Sequence, residues 1–289
     1  MGRNQRFLVL SVVLFFALAI AQTLSAATFT YYASSLFSQS GAYASYYEPD
    51  GTLHEDAPGS VVSWDTEYVE SEQSAEVADN DFVATASGQG FGSAEVYENA
   101  LEIDLSGSVS GSSMLYSSHI QSYGGASTVQ AAYSTGIFFE ITPDPGENTG
   151  DPVQVNFYWM GEAWASSGTS AKLDGGFAGD TIAITLNDCP APESFDPAKA
   201  VWTYDGITLE DGGEFDDEAY GYFSAVIGDI IGIHMDASAE LYWYNEVYED
   251  LEAEAYQSLS LEVNPVPVPG ALWLLGSGLC GLWAIKRRS

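Results

Sequence analysis

Apolar and polar residues alternate with period two through most of the middle of this chain. Leu101, Ile103 and Leu105 fall on one face, with Glu102, Asp104 and Ser106 on the other. Val153, Val155, Phe157 and Trp159 alternate with Gln154, Asn156 and Tyr158. Ile182, Ile184 and Leu186 alternate with Thr181 and Thr185. Ile231, Ile233 and Met235 alternate with Gly232, His234 and Asp236, which puts His234 on the solvent side. In the longest run, Leu251, Ala253, Ala255, Leu259, Leu261 and Val263 share a face broken only by Gln257. Glu252, Glu254, Tyr256, Ser258, Ser260 and Glu262 occupy its other face. One apolar and one solvated face marks an antiparallel sheet covering a core.

Turn residues punctuate these runs. Pro49-Asp50-Gly51 and Pro143-Asp144-Pro145-Gly146 each close a strand. Asp205-Gly206 separates Val201–Tyr204 from Ile207–Leu209 and predicts a two-residue hairpin. Gly179-Asp180-Thr181-Ile182-Ala183-Ile184 echoes Gly228-Asp229-Ile230-Ile231-Gly232-Ile233, as related strands of two Greek keys or a duplicated hairpin would. No sustained helical period runs between residues 28 and 264. The expected fold is all-β, an antiparallel, jelly-roll-like β-sandwich.

The two ends have a different pattern. Arg3 and Arg6 precede an apolar stretch from Phe7 to Ala21, and Ser25-Ala26-Ala27 supplies small residues before a cleavage point. Residues 1–27 read as a signal peptide cut by signal peptidase after Ala27, or one residue earlier. Residues 265–289 hold a Pro-rich kink, an apolar run from Ala271 to Ile285, and the basic cluster Lys286, Arg287 and Arg288. Trp273 and Trp283 sit near the ends of that run, where membrane interfaces favour indole rings. The run is shorter than the roughly 20 residues that cross a bilayer comfortably. Val266-Pro267-Val268-Pro269, the short transmembrane helix and the basic end together resemble the PEP-CTERM sorting signal of Gram-negative bacteria. Val268 stands where that family's motif has Glu. The resemblance covers only this tail. It implies recognition by an exosortase-type sorting enzyme, residence at the cell surface and an association with exopolysaccharide. Residues 28–264 are then an exported passenger.

Charge sharpens the picture of the passenger. All 41 acidic residues lie within it, against only Lys172 and Lys199, a formal charge of −39. Such a surface repels nucleic acid and anionic lipid. It suits saline surroundings, divalent cations or cationic polymers. All 18 Tyr and five of the seven Trp are also here, which argues against a disordered acidic chain. Cys189, in a Pro-flanked loop, is the passenger's only cysteine, so no internal disulfide staples it.

Three chemistries have candidate residues in the sequence. Asp205, Asp211, Glu214, Asp216 and Asp217 crowd one stretch with Gly206, Gly212 and Gly213, and hard oxygen ligands on loops suit Ca²⁺. Their spacing matches neither an EF-hand nor a Gly-Gly-x-Gly-x-Asp repeat. Tyr242, Tyr244 and Tyr248 share one parity of a strand and could stack on sugars. Phe157, Tyr158, Trp159 and Trp164 form a second aromatic group. His54, His119 and His234 are far apart, and no nucleophile elbow, phosphate loop or zinc motif appears. The passenger therefore reads as a non-enzymatic structural or adhesive protein of a polysaccharide matrix, with no resident cofactor beyond a candidate Ca²⁺. A Ca²⁺-assisted carbohydrate-binding module is the alternative. A surface glycoside hydrolase, which needs two opposed carboxyls on a cleft, is the third reading.

Overall fold

The computed structural model describes residues 27–33, 36–79, 82–113, 118–130, 134–175, 181–187, 196–244 and 247–266. Residues 1–26, which the sequence pattern reads as most of a signal peptide, lie outside them, as do Cys189 and everything from Pro267 onward. In chain order the first strands are β1 (Thr28–Ala33), β2 (Leu36–Tyr47), β3 (Leu53–Asp65), β4 (Tyr68–Asp79), β5 (Phe82–Tyr97) and β6 (Ala100–Ser113). Next come β7 (Ser118–Ser127), β8 (Val129–Gln130), β9 (Ser134–Thr135), β10 (Ile137–Thr142), β11 (Pro152–Ala165), β12 (Thr169–Asp174) and β13 (Thr181–Leu186). The last are β14 (Ala200–Asp205), β15 (Ile207–Glu210), β16 (Gly213–Val226), β17 (Ile230–His234), β18 (Asp236–Tyr244) and β19 (Val247–Pro265). The 3-10 turn Pro197–Lys199 is the sole helical element among the described residues. No helix among them is long and apolar enough to cross a membrane.

The strands build an antiparallel β-sandwich. One layer is a long sheet, ordered β16-β11-β19-β6-β5-β4. A facing sheet, ordered β15-β12-β18-β7-β2-β3, lies over it strand on strand. Five connections arch between the layers: β3 to β4, β6 to β7, β11 to β12, β15 to β16 and β18 to β19. A third, end sheet runs β1-β10-β17-β13-β14. In the chain, β1 leads to β2, β17 to β18 and β14 to β15, so this sheet prolongs the facing layer. Its side chains also reach the long sheet. The Tyr31 hydroxyl donates to the Ala94 carbonyl at 2.5 Å, and the Tyr204 ring lies 4.4 Å from that of Trp159. The two-stranded ribbon β8-β9 completes the set.

Alternation explains the core. Leu101, Ile103 and Leu105 of β6, Val153, Val155 and Trp159 of β11, and Leu259, Leu261 and Val263 of β19 all point inward and are buried. The Gln257 break is buried too. Trp159 Nε1 donates to Gln257 Oε1 at 3.1 Å. Gln257 Nε2 donates to the carbonyls of Asp174 and Asp236 in the facing layer. This one polar side chain therefore ties the two layers together inside the core.

The middle of the sandwich is thin. Sheets that meet through ordinary side chains pack about 10 Å apart. Here glycines meet instead. A methyl group added at Gly88 would lie 2.2 Å from the Tyr123 carbonyl oxygen, and one at Gly124 would lie 2.1 Å from that of Gln89. Gly90 and Gly107 are equally tight against Gly125 and Gly124. Backbone packs on backbone along this seam, and no larger residue fits.

Three local expectations are corrected. Asp205-Gly206 is not a hairpin: β14 pairs with β13 in the end sheet, and β15 pairs with β12 in the facing sheet. The chain passes on from one sheet to the next, and Gly206 does not take the positive φ of a hairpin turn. His234 is not solvent-facing but 1% exposed, with its ring edge-on to Phe138 at 6.1 Å. Thr185 is buried as well, because the central end-sheet strands are covered on both faces, and its hydroxyl donates to the Gly232 carbonyl. The two echoing segments contribute β13 and β17, which lie side by side with Ile184 opposite Ile233.

Candidate functional site

The acidic stretch does not gather into one cage. Asp205 ends β14. Asp211 sits at the β15–β16 arch with φ of 56°, where its Oδ1 accepts hydrogen bonds from Gly168 N and Ser167 Oγ, both at 2.9 Å. The Gly168 N–H, aided by Ser167, holds this carboxyl below the usual range. Its visible work is to fasten two neighbouring arches. Glu214 and Asp216 lie on the outer face of β16, whereas Asp217 turns to the other face and accepts the Tyr204 hydroxyl at 2.5 Å. Burial, then Asp217, pushes that tyrosine up to about 12. Among the described residues, no group of three or more His, Cys, Asp or Glu side chains is placed to hold a metal ion.

The second aromatic group splits by parity. Phe157 and Trp159 face the core, while Tyr158 and Trp164 face outward. Outward on β16, Tyr220 stands directly opposite Tyr158, and Tyr222 stands opposite Asn156. Tyr220 and Tyr222 are 80% and 70% exposed. Carboxylates fill the stretch between Trp164 and these tyrosines. Glu214 and Glu254 flank Trp164 on its two neighbouring strands, and Asp216 opposes Glu162. Tyr158 donates its hydroxyl to Glu218 Oε2 at 2.8 Å. A shallow groove of about 330 Å³ opens among Glu162, Trp164, Glu214, Asp216, Glu254 and Tyr256. Tyr220 and Tyr222 are not among the residues singled out from the sequence alone. The alternation Tyr220-Gly221-Tyr222-Phe223, with outward rings two residues apart, was the signal available.

The tyrosines singled out on β18 gather around a histidine. Tyr242 and Tyr244 are exposed on the outer face of the facing sheet. Their rings lie 5.0 and 6.0 Å from His119, which also meets Tyr43 at 5.1 Å. Burial among these rings pushes the His119 imidazole down. Beside them a shallow hollow of about 230 Å³ is lined by Tyr43, Gln121 and Tyr123. Tyr248 falls in β19, but its side chain lies outside the described residues.

A pair of acids, Asp174 buried and Asp236 half-buried, marks the junction of the facing and end sheets. Asp174 and Asp236 are direct cross-strand partners, and Lys172 Nζ forms a salt bridge with Asp174. Burial first, and the like charge of Asp174 second, push the Asp236 carboxyl up to about 7. One of the two lysines between residues 28 and 264 is thus spent within the fold.

Of the residues expected to form a sorting motif, Val266 alone is described, and it is exposed just past β19. Pro267, Val268, Pro269, Lys286, Arg287 and Arg288 lie outside the described residues. Ala27 is 1% exposed and packs in the core, so a chain beginning at Thr28 loses a contact that one beginning at Ala27 keeps.

No protein-family model matches this chain, and no curated protein matches it. Among solved structures it has a distant likeness to infectious bursal disease virus particles. With the Gx strain the identity is 12% and the TM-score 0.22, covering 86% of this chain and 59% of that one. With the VP2 subviral particle the identity is 11% and the TM-score 0.14, covering 89% of this chain and 74% of that one. The chain therefore spans less than two thirds of the first of these. At such scores the likeness carries no argument about what the protein does.

Proposed function

We propose that this chain is an exported structural or adhesive protein of a polysaccharide matrix, carried by a jelly-roll-like sandwich between two targeting segments. The observation that carries the reading is the outer face of β11 and β16, where exposed rings and carboxylates share one open sheet. An open face suits lasting contact with a polymer, whereas turnover of a small substrate calls for an enclosing pocket. The acidic surface keeps the protein off nucleic acid and anionic lipid. Signal peptidase releases the passenger, and an exosortase-type enzyme reads the tail from Val266 onward. Fractionation of the producing cells tests this. The protein should co-purify with extracellular polysaccharide, and deleting residues 265–289 should abolish that retention. Recovery in the cytoplasm, or retention unchanged without the tail, contradicts it.

A further inference from the structure

We infer that the outer strip of β11 and β16 binds a linear glycan bearing protonated amines. This deepens the matrix reading by naming the chemistry of the polymer.

The strip runs from the level of Trp164 to that of Tyr222, which is paired with Asn156. Eight residue steps at strand rise make it about 27 Å long, the reach of several sugar units. Trp164 stands at one end, and Tyr158, Tyr220 and Tyr222 cluster at the other. β16 is an edge strand of the long sheet, so a long polymer can lie along it unobstructed.

Between the rings lie Glu162, Glu214, Asp216 and Glu218, with Glu254 on the neighbouring strand. Glu162 and Asp216 are direct cross-strand partners, an arrangement in which like charges destabilise a sheet. The passenger's only basic side chains, Lys172 and Lys199, are on neither strand, and Lys172 is already bound to Asp174. The strip therefore lacks cations of its own and is complementary to a ligand that supplies them.

Each feature narrows the ligand. Ring faces favour the C–H face of a sugar, and they also attract an ammonium group held over them. Carboxylates beside the rings give that ammonium charge-assisted hydrogen bonds. A uronic-acid polymer is repelled by the same carboxylates. A neutral glycan leaves their repulsion uncompensated. An extended basic peptide would instead seek the main-chain hydrogen bonds of a sheet edge, where the rings are not needed.

The test uses the full-length chain in mild detergent. Its affinity is measured by calorimetry for chitosan oligosaccharides, for the fully N-acetylated oligosaccharides and for polylysine. Chitosan oligosaccharides should bind about tenfold or more tighter than their N-acetylated forms. Trp164→Ala with Tyr220→Ala should weaken chitosan binding about tenfold and leave polylysine binding unchanged. Asp216→Asn with Glu218→Gln should flatten the salt dependence of chitosan binding. Circular dichroism checks that each variant keeps its sheet, and the single change Tyr222→Ala provides a milder ring deletion. Equal binding of the N-acetylated form, or chitosan binding that ignores the ring changes, overturns the inference. Polylysine losing as much affinity as chitosan also overturns it, in favour of a basic peptide. A chain that passes this test but is absent from the matrix sinks only the localisation reading. A matrix protein that fails it sinks only this inference.

Discussion

At the scale of single residues, two polar side chains carry consequences for stability. Gln257 sits where the pattern asks for an apolar side chain. It accepts from Trp159 and donates to two carbonyls across the sandwich. Gln257→Leu keeps the volume but strands all three groups. It should cost about 2–3 kcal/mol in urea unfolding, and a loss below about 0.5 kcal/mol would show that the network is idle. The second feature is Asp236. Its folded carboxyl titrates near 7, above the roughly 3.9 of an unfolded chain. The folded state therefore binds the extra proton. The stability this provides is complete below the unfolded value and is lost as pH rises through about 7. Asp236→Asn should leave stability nearly unchanged at about pH 4 and raise it at about pH 8. Equal effects at the two pH values would contradict the raised Asp236 carboxyl. Neither feature was legible in the sequence. Gln257 read as a flaw in a strand, and the partnership of Asp236 with Asp174 depends on pairing β18 with β12, which lie far apart in the chain.

At the scale of elements, the strands themselves were legible because alternation is local. The faces of β6, β11 and β19 follow their apolar residues one by one. What faced what was not legible. The pairing of layers is set by arches, and an arch and a hairpin use the same residues. Asp205-Gly206 has hairpin chemistry but runs straight on, while Asp211-Gly212 takes positive φ at both residues and joins opposite sheets. The candidate site was half legible for the same reason. The parity of β18 put Tyr242 and Tyr244 outward, yet only the register of β11 against β16 sets Tyr220 beside Tyr158. The glycine seam offers the sharpest test of the layer pairing. Gly124→Ala drives a methyl group into the Gln89 carbonyl and should cost about 3 kcal/mol or prevent folding. Ser87→Ala, on the outer face of the same layer as Gln89, should stay within about 1 kcal/mol. Equal tolerance at the two positions would mean that the sheets do not meet there.

At the scale of the whole molecule, charge dominates. A formal −39 carried on residues 28–264 repels itself in the compact state. Salt shortens the Debye length from about 10 Å at 0.1 M to about 3 Å at 1 M. Tm should therefore rise with NaCl, and a flat or falling Tm would show that the acids are compensated locally. Replacing NaCl with CaCl₂ at matched ionic strength separates screening from specific ligation. The dispersal of Asp211, Asp216 and Asp217 over different partners and faces predicts no Ca²⁺ gain beyond that of Mg²⁺. The central claim, that this sandwich is a sorted surface passenger, is tested most directly by the intact mass of the protein recovered from the extracellular matrix. The account predicts a chain that begins within a residue of Thr28 and ends near Val266–Pro269, without Lys286 to Ser289. A full-length chain, or one keeping its basic C-terminal end in the recovered surface form, would contradict it.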